Sequence, residues 1–192
     1  ITSDEAEYEK RKISRTIIKG KNITTEQVAY QLAIKNAVEK NNINKIFSFH
    51  SRVHDAKNFT ARGPEGIINH LDGFYSNHIE GKTKTKNREN IIHKFKAFDR
   101  GILSNARCLV EGVDVPAVEM VAFITPKQSE IDIVQAIGRA LRKRKTTKKY
   151  GYVLVPIFIE KKKNETTATA LKRSNFEKLA LVLKALKEHD DE

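Results

Sequence analysis

The chain holds 192 residues, enough for one full domain with appendages. No apolar run approaches the roughly 18 residues of a helical membrane span, and the single cysteine, Cys108, excludes an internal disulfide and a cysteine-based zinc site. A formal net charge of +12 gives a surface that attracts polyanions, of which nucleic acid is the commonest, ahead of an anionic membrane.

In chain order, residues 1–24 are highly charged and read as a helix or connector from a preceding domain. The chain opens Ile-Thr-Ser-Asp-Glu, without an initiating methionine and without the basic and apolar regions of a signal peptide. A piece of a longer intracellular protein is the expectation. Residues 25–192 are expected to form one domain. Thr25–Lys40 reads as a helix capped by Thr25, with Val28, Leu32 and Ala33 at helical spacing. Lys45–His50 is a short apolar strand, followed by a helix over Arg52–Ala61. Gly63-Pro64-Glu65-Gly66 marks a turn. Ser76–Glu80 is a weak strand, and Arg88–Phe98 a helix with Ile91, Ile92, Phe95 and Phe98 on one side.

Gly101–Asn105 and Val118–Thr125 read as strands, the second rich in β-branched residues and Phe. Between them runs Glu111-Gly112-Val113-Asp114-Val115-Pro116. Ser129 caps a helix over Ser129–Lys143, with Asp132 in its first turn. Tyr150–Ile159 is a long apolar strand, Glu160–Asn164 a charged loop, and Ser174–Lys187 a Leu-rich helix. Strands alternating with helices predict an α/β fold, an open and mostly parallel sheet with flanking helices. In such sheets ligands bind beyond the carboxyl ends of the strands.

The helix over Ser129–Lys143 carries the most specific pattern, Q-x-x-G-R-x-x-R, at Gln135–Arg142. Arg139 and Arg142 are three apart and Gln135 lies four before Arg139, so all three share a helix face. Ile133, Val134, Ile137 and Leu141 are left to pack inward. Two guanidiniums and a carboxamide suit a polyphosphate whose charge is building up, because Arg stays ionised and grips phosphate oxygens through a planar fork. The plain alternative is a solvated basic face on an amphipathic helix.

Three segments together resemble the C-terminal RecA-like domain of superfamily 2 helicases and translocases. IFSFHSRVHDAKNF (46–59) resembles motif IV, ILSNARCLVEGVDVP (102–116) motif V, and DIVQAIGRALR (132–142) motif VI. The variant is closer to restriction-enzyme-type and DEAD/DEAH-like helicases than to DEAD-box RNA helicases, whose motif VI begins with His where this chain has Gln135. The resemblance implies a second motor domain of an ATP-dependent enzyme, with Arg139 and Arg142 as catalytic arginine fingers. It implies that Gly112, Asp114 and Gln135 line the nucleotide side of the cleft. It implies nucleic-acid backbone contacts from Ser51 and Arg52, and from Ser104, Asn105 and Arg107 unless these form a plain strand-to-loop transition.

ATP and Mg²⁺ then belong to the two-domain parent. This chain shows neither G-x-x-x-x-G-K-[ST] nor an acidic box, so it is expected to hold no nucleotide stably alone. Gly81-Lys82-Thr83 looks like the end of a phosphate loop, but Ser76 stands where that motif needs Gly, and a basic loop is the better reading. His50 and His54 are four apart without the Glu of H-E-x-x-H, so no metal is expected. The expected partners are nucleic acid, DNA ahead of RNA, and an N-terminal P-loop domain of the same parent, with no membrane. A non-catalytic nucleic-acid-binding module of the same fold is the alternative.

Overall fold

The computed structural model describes residues 17–18, 21–22, 25–63, 66–106, 118–125, 137–138, 150–157, 159, 164–166, 169–170, 182–184 and 187. A small antiparallel hairpin, β1 (Ile17–Ile18) and β2 (Lys21–Asn22), lies in the stretch expected to be a helix or connector. Helix α1 (Thr25–Asn41) follows. It ends where Asn42 takes a positive φ of 50° and the Ile43 N–H returns to the Val38 carbonyl at 3.1 Å. Asn tolerates that left-handed conformation, which closes the helix and turns the chain into the sheet.

Five strands make one sheet: β3 (Lys45–Phe49), β4 (Tyr75–Glu80), β5 (Gly101–Ala106), β6 (Met120–Phe123) and β7 (Tyr152–Leu154). Their order is β4-β5-β3-β6-β7, and every pair is parallel. Helix α2 (Val53–Thr60) follows β3, and helix α3 (Thr85–Ala97) follows β4. The expected α/β fold is observed, with the described sheet wholly parallel.

The sheet is covered on both faces. Tyr30, Ile34 and Val38 of α1, with Phe59 and Phe74, pack on Ile46, Ile102, Met120 and Ala122. On the other face Ile91, Ile92 and Phe95 of α3 pack on Phe47, Leu103, Val121 and Phe123. All six residues of β5 are buried, as a central parallel strand with helices on both sides requires.

Two expected faces shift. The buried stripe of α1 is Tyr30, Ile34 and Val38, spaced by four, and Val28, Leu32 and Ala33 flank it half-buried. α3 begins at Thr85, before Arg88, and ends before Phe98. Phe98 therefore leaves the helix side, remains 50% exposed, and stacks on Tyr75 at 5.2 Å between ring centroids. β7 is also shorter than the apolar run around it, with Tyr150 exposed.

The Lys45 ammonium donates to the carbonyls of Phe95 and Phe98 and so satisfies the last turn of α3. Gly101 permits the close approach of that helix. A Cβ there would stand 2.8 Å from Phe95 Cδ2 and 2.9 Å from Cε2. Gly101→Ala is expected to destabilise the fold by about 1–3 kcal/mol through overpacking. Urea denaturation measures this, and an unchanged midpoint would show that α3 yields at no cost.

Candidate functional site

Parallel strands finish at one edge of the sheet, and several candidate residues collect there. From β3 the chain moves out to β4, returns through β5, then crosses to β6 and β7. The connections diverge about the β3–β6 pair, which makes its carboxyl end the switch point where ligands are expected.

The turn after β3 bridges that crevice. The His50 N–H donates to the Asn105 carbonyl of β5 at 2.9 Å. On the opposite side the Ser51 N–H donates to the Thr125 hydroxyl, just past β6, at 3.0 Å. Ser51 is half-buried, and the next residue, Arg52, is exposed as the N-cap of α2 with φ −121° and ψ 139°. An arginine there brings no side-chain oxygen to the first-turn N–H groups, so that helix end is left open to acceptors from outside. Motif IV and the start of motif V thus lie side by side, and the bond from His50 to Asn105 closes the end of their shared ladder.

Ser104 and Asn105 do not sit as surface contacts. Ser104 is fully buried, and its hydroxyl donates to the Ala56 carbonyl at 2.6 Å. Thr60 Oγ1 lies 2.8 Å from Ser104 Oγ and 3.1 Å from the same carbonyl. The two hydroxyls therefore bind α2 down onto β5. Asn105 is 1% exposed, and its backbone holds the His50 turn. Arg107, Gly112, Asp114, Gln135, Arg139 and Arg142 lie outside the described residues. Within the expected arginine helix, Ile137 and Gly138 are helical, and Ile137 packs into the α3-side core, the inward direction its spacing requires.

The lysine-rich loop after β4 is a closed turn. The Thr83 N–H donates to the Glu80 carbonyl at 3.0 Å, and the Thr83 hydroxyl accepts from the Glu80 N–H at 3.0 Å. That hydroxyl secures the loop, and Lys82, Lys84 and Lys86 are exposed around it. Nor do the two histidines of motif IV form a pair: His50 is buried and His54 is exposed. Among the described residues no three His, Cys, Asp or Glu side chains converge as a metal site, and no helix is long and apolar enough to cross a membrane.

Beneath α2 the carboxyl half of the sheet turns polar. His50 is 4% exposed, its ring lies 4.8 Å from that of Phe59, and Nε2 is 3.2 Å from Ser48 Oγ. Burial, and then the facing His78, push its pKa down to about 3. Burial also lowers that of His78; Glu80 opposes the shift and Lys57 adds to it. Pattern reading missed this layer and Thr125. The available signal was Ser48 and His50 alternating with Phe47 and Phe49, which puts two polar groups on one buried strand face.

Residues 27–144, more than half of the chain, match the helicase conserved C-terminal domain. The chain belongs to that family. It is the C-terminal RecA-like domain of a superfamily 2 helicase. This helicase domain is similar to the putative ATP-dependent helicase IRC3 of Saccharomyces cerevisiae, at 34% identity over 71 residues, which are 37% of this chain and 10% of that protein. It is 26% identical to the ATP-dependent RNA helicase HAS1 of the same yeast over 125 residues, 65% of this chain and 24% of that protein.

The ATP-dependent Type ISP restriction-modification enzyme LlaBIII, solved bound to DNA, superposes with a TM-score of 0.69 at 26% identity, over 90% of this chain and 12% of that one. Domain 2 of the DEAD-box helicase Mss116p, solved bound to an RNA duplex, shares the fold with a TM-score of 0.51 at 20% identity, over 68% of this chain and 50% of that one. The helicase domain therefore spans about a tenth of IRC3 and about a quarter of HAS1.

Proposed function

We propose that this helicase domain is the second motor domain of an ATP-dependent nucleic-acid translocase or helicase, working against an N-terminal P-loop domain of the same parent. The observation that carries this reading is the seam at the switch point. The turn after β3 is hydrogen-bonded there to the start of motif V on one side and to Thr125 past β6 on the other, at the edge where parallel sheets take ligands. Ser51 and Arg52 contact the nucleic-acid backbone at the open start of α2, where N–H groups and the helix dipole favour phosphate. Arg107 extends this surface. Ser104 and Asn105 act behind it, by holding α2 and the His50 turn.

ATP and Mg²⁺ sit between the two motor domains. Gly112, Asp114 and Gln135 face the nucleotide, and Arg139 and Arg142 reach its phosphates. The relatives named as ATP-dependent support ATP as the nucleotide of the parent. DNA is preferred over RNA in this proposal; the fold is shared by a DNA-bound restriction enzyme and by an RNA-bound DEAD-box domain.

Phosphate-dominated binding makes log affinity fall linearly with log salt. For the 192-residue chain, Arg52→Ala is expected to weaken binding to oligonucleotides of every sequence alike and to reduce the salt slope by about 1. Fluorescence anisotropy on matched DNA and RNA strands reads both quantities. Salt-indifferent affinity, or an Arg52→Ala slope equal to the wild type, overturns the contact assignment. Tighter binding to RNA overturns the DNA preference alone.

A further inference from the structure

We propose that His50 and His78 form a proton-sensitive layer beneath α2, which fixes the Ser51–Arg52 turn only while both rings are neutral. The layer is built from three strands. His78 of β4 pairs in register with Ser104 of β5, and Ser104 with Ser48 of β3. His50, two residues past Ser48, hydrogen-bonds back to it and packs tilted against Phe59 of α2. The same residue donates its backbone N–H to Asn105, and its neighbour Ser51 donates to Thr125. Displacing the His50 ring therefore moves the turn that opens α2.

A second proton on the His50 ring is opposed by burial and by His78. His78 Nδ1 is buried with no hydrogen-bond partner among the described residues. The titratable groups facing the pair are few. From α2, Lys57 opposes a positive His78; on β4 itself Glu80 favours one; and His50 and His78 oppose each other. β5 and β6 contribute Ser104, Asn105 and Thr125 around the turn, none of which titrates as a cation. Charging His50 puts a cation in an almost dry site beside a second histidine, and the ring leaves.

The direction with pH follows from the depressed value. In the released state His50 takes a proton below its ordinary 6.5, whereas in place it resists to about 3. The restraint is fully present above 6.5 and is lost progressively as pH falls toward 3. Between about pH 8 and about pH 5 the released population should rise about thirtyfold, from those two values.

The test is hydrogen exchange on the full 192-residue chain, read at the amides of His50, Ser51 and Ala56, all of which are hydrogen-bonded. After correction for intrinsic rates, protection should drop about thirtyfold over that pH range in the wild type and little in His50→Gln. Equal protection at both pH values, or an equal drop in His50→Gln, overturns the proposal. NMR titration of the wild-type His50 ring needs no variant and overturns it by giving an ordinary histidine value. His78→Gln, which removes the facing ring that opposes its charge, should raise the titration point of the His50 ring in the same NMR experiment, and an unchanged value would take His78 out of the layer.

The link to ligand rests on the Ser51–Arg52 reading above. Oligonucleotide affinity measured alongside should fall with acidification in the wild type and not in His50→Gln. Acidification makes the chain as a whole more positive, which drives affinity for a polyanion the other way, so a fall cannot come from general surface charge. Absence of binding at every pH, with exchange still pH-dependent, would sink the Ser51–Arg52 reading and uphold the layer.

Discussion

Alanine at Arg139 or Arg142, introduced into the two-domain parent, is expected to lower kcat for ATP hydrolysis by about 10³- to 10⁵-fold, the range an arginine finger contributes. Nucleic-acid affinity should stay nearly unchanged. The reason is differential binding: in the proposed role these guanidiniums meet charge that develops only as the γ-phosphoryl group departs. Lysine at either position should rescue poorly, because an ammonium cannot reproduce the planar fork. Gln135→Ala should be milder, since it removes a neutral hydrogen-bonding group. A merely solvated basic face makes the opposite forecast, little loss of rate or stability on replacement. Steady-state ATPase kinetics with melting temperatures as a folding control separate the two. Near-native kcat in both arginine variants would remove the catalytic role from motif VI.

The fold was legible in the sequence because its strands are short apolar runs bounded by helices and turns. IFSF and GILSNA need both faces covered, and the chain supplies α1 and α2 for one face and α3 for the other. The family was legible because three motifs recur in order. Side-chain placement was less so. Ser104 reads as a small polar residue leaving a strand, yet β5 runs on to Ala106 and carries it under α2. A linear pattern does not reveal which helix will cover a given polar residue. The fully buried stripe of α1 was not legible for a related reason. Tyr30 and Gln31 are buried beside Ile34 and Val38, and neither stands out as apolar by composition. His50 read as half of a failed metal motif, and only its burial against the tilted ring of Phe59 reveals a ring kept dry. The switch point required the strand order, because Ser51 and Thr125 are 74 residues apart in sequence.

Phe95→Ala is expected to cost about 3–5 kcal/mol, the range for emptying a buried aromatic site. Phe95 is fully buried, tilted against Phe47 at 5.6 Å between centroids, and overlain by the Lys45 ammonium at 4.8 Å. It lies near the end of α3, close to the carbonyls that Lys45 satisfies, so its loss removes packing where that helix meets β3 and β5. For a chain of this size the melting temperature should fall on the order of 10 °C. A double-mutant cycle with Gly101→Ala sharpens the expectation. The ring of Phe95 is the nearest obstacle to a Cβ at Gly101. With the ring gone, alanine at that position should cost little or even recover stability by filling part of the cavity and by its better strand propensity than glycine. The coupling between the two sites should therefore be favourable and about 1–3 kcal/mol, the overpacking cost that disappears. Additive losses in urea denaturation would show that Gly101 is required by the β5 backbone itself, and that α3 is not seated through this contact.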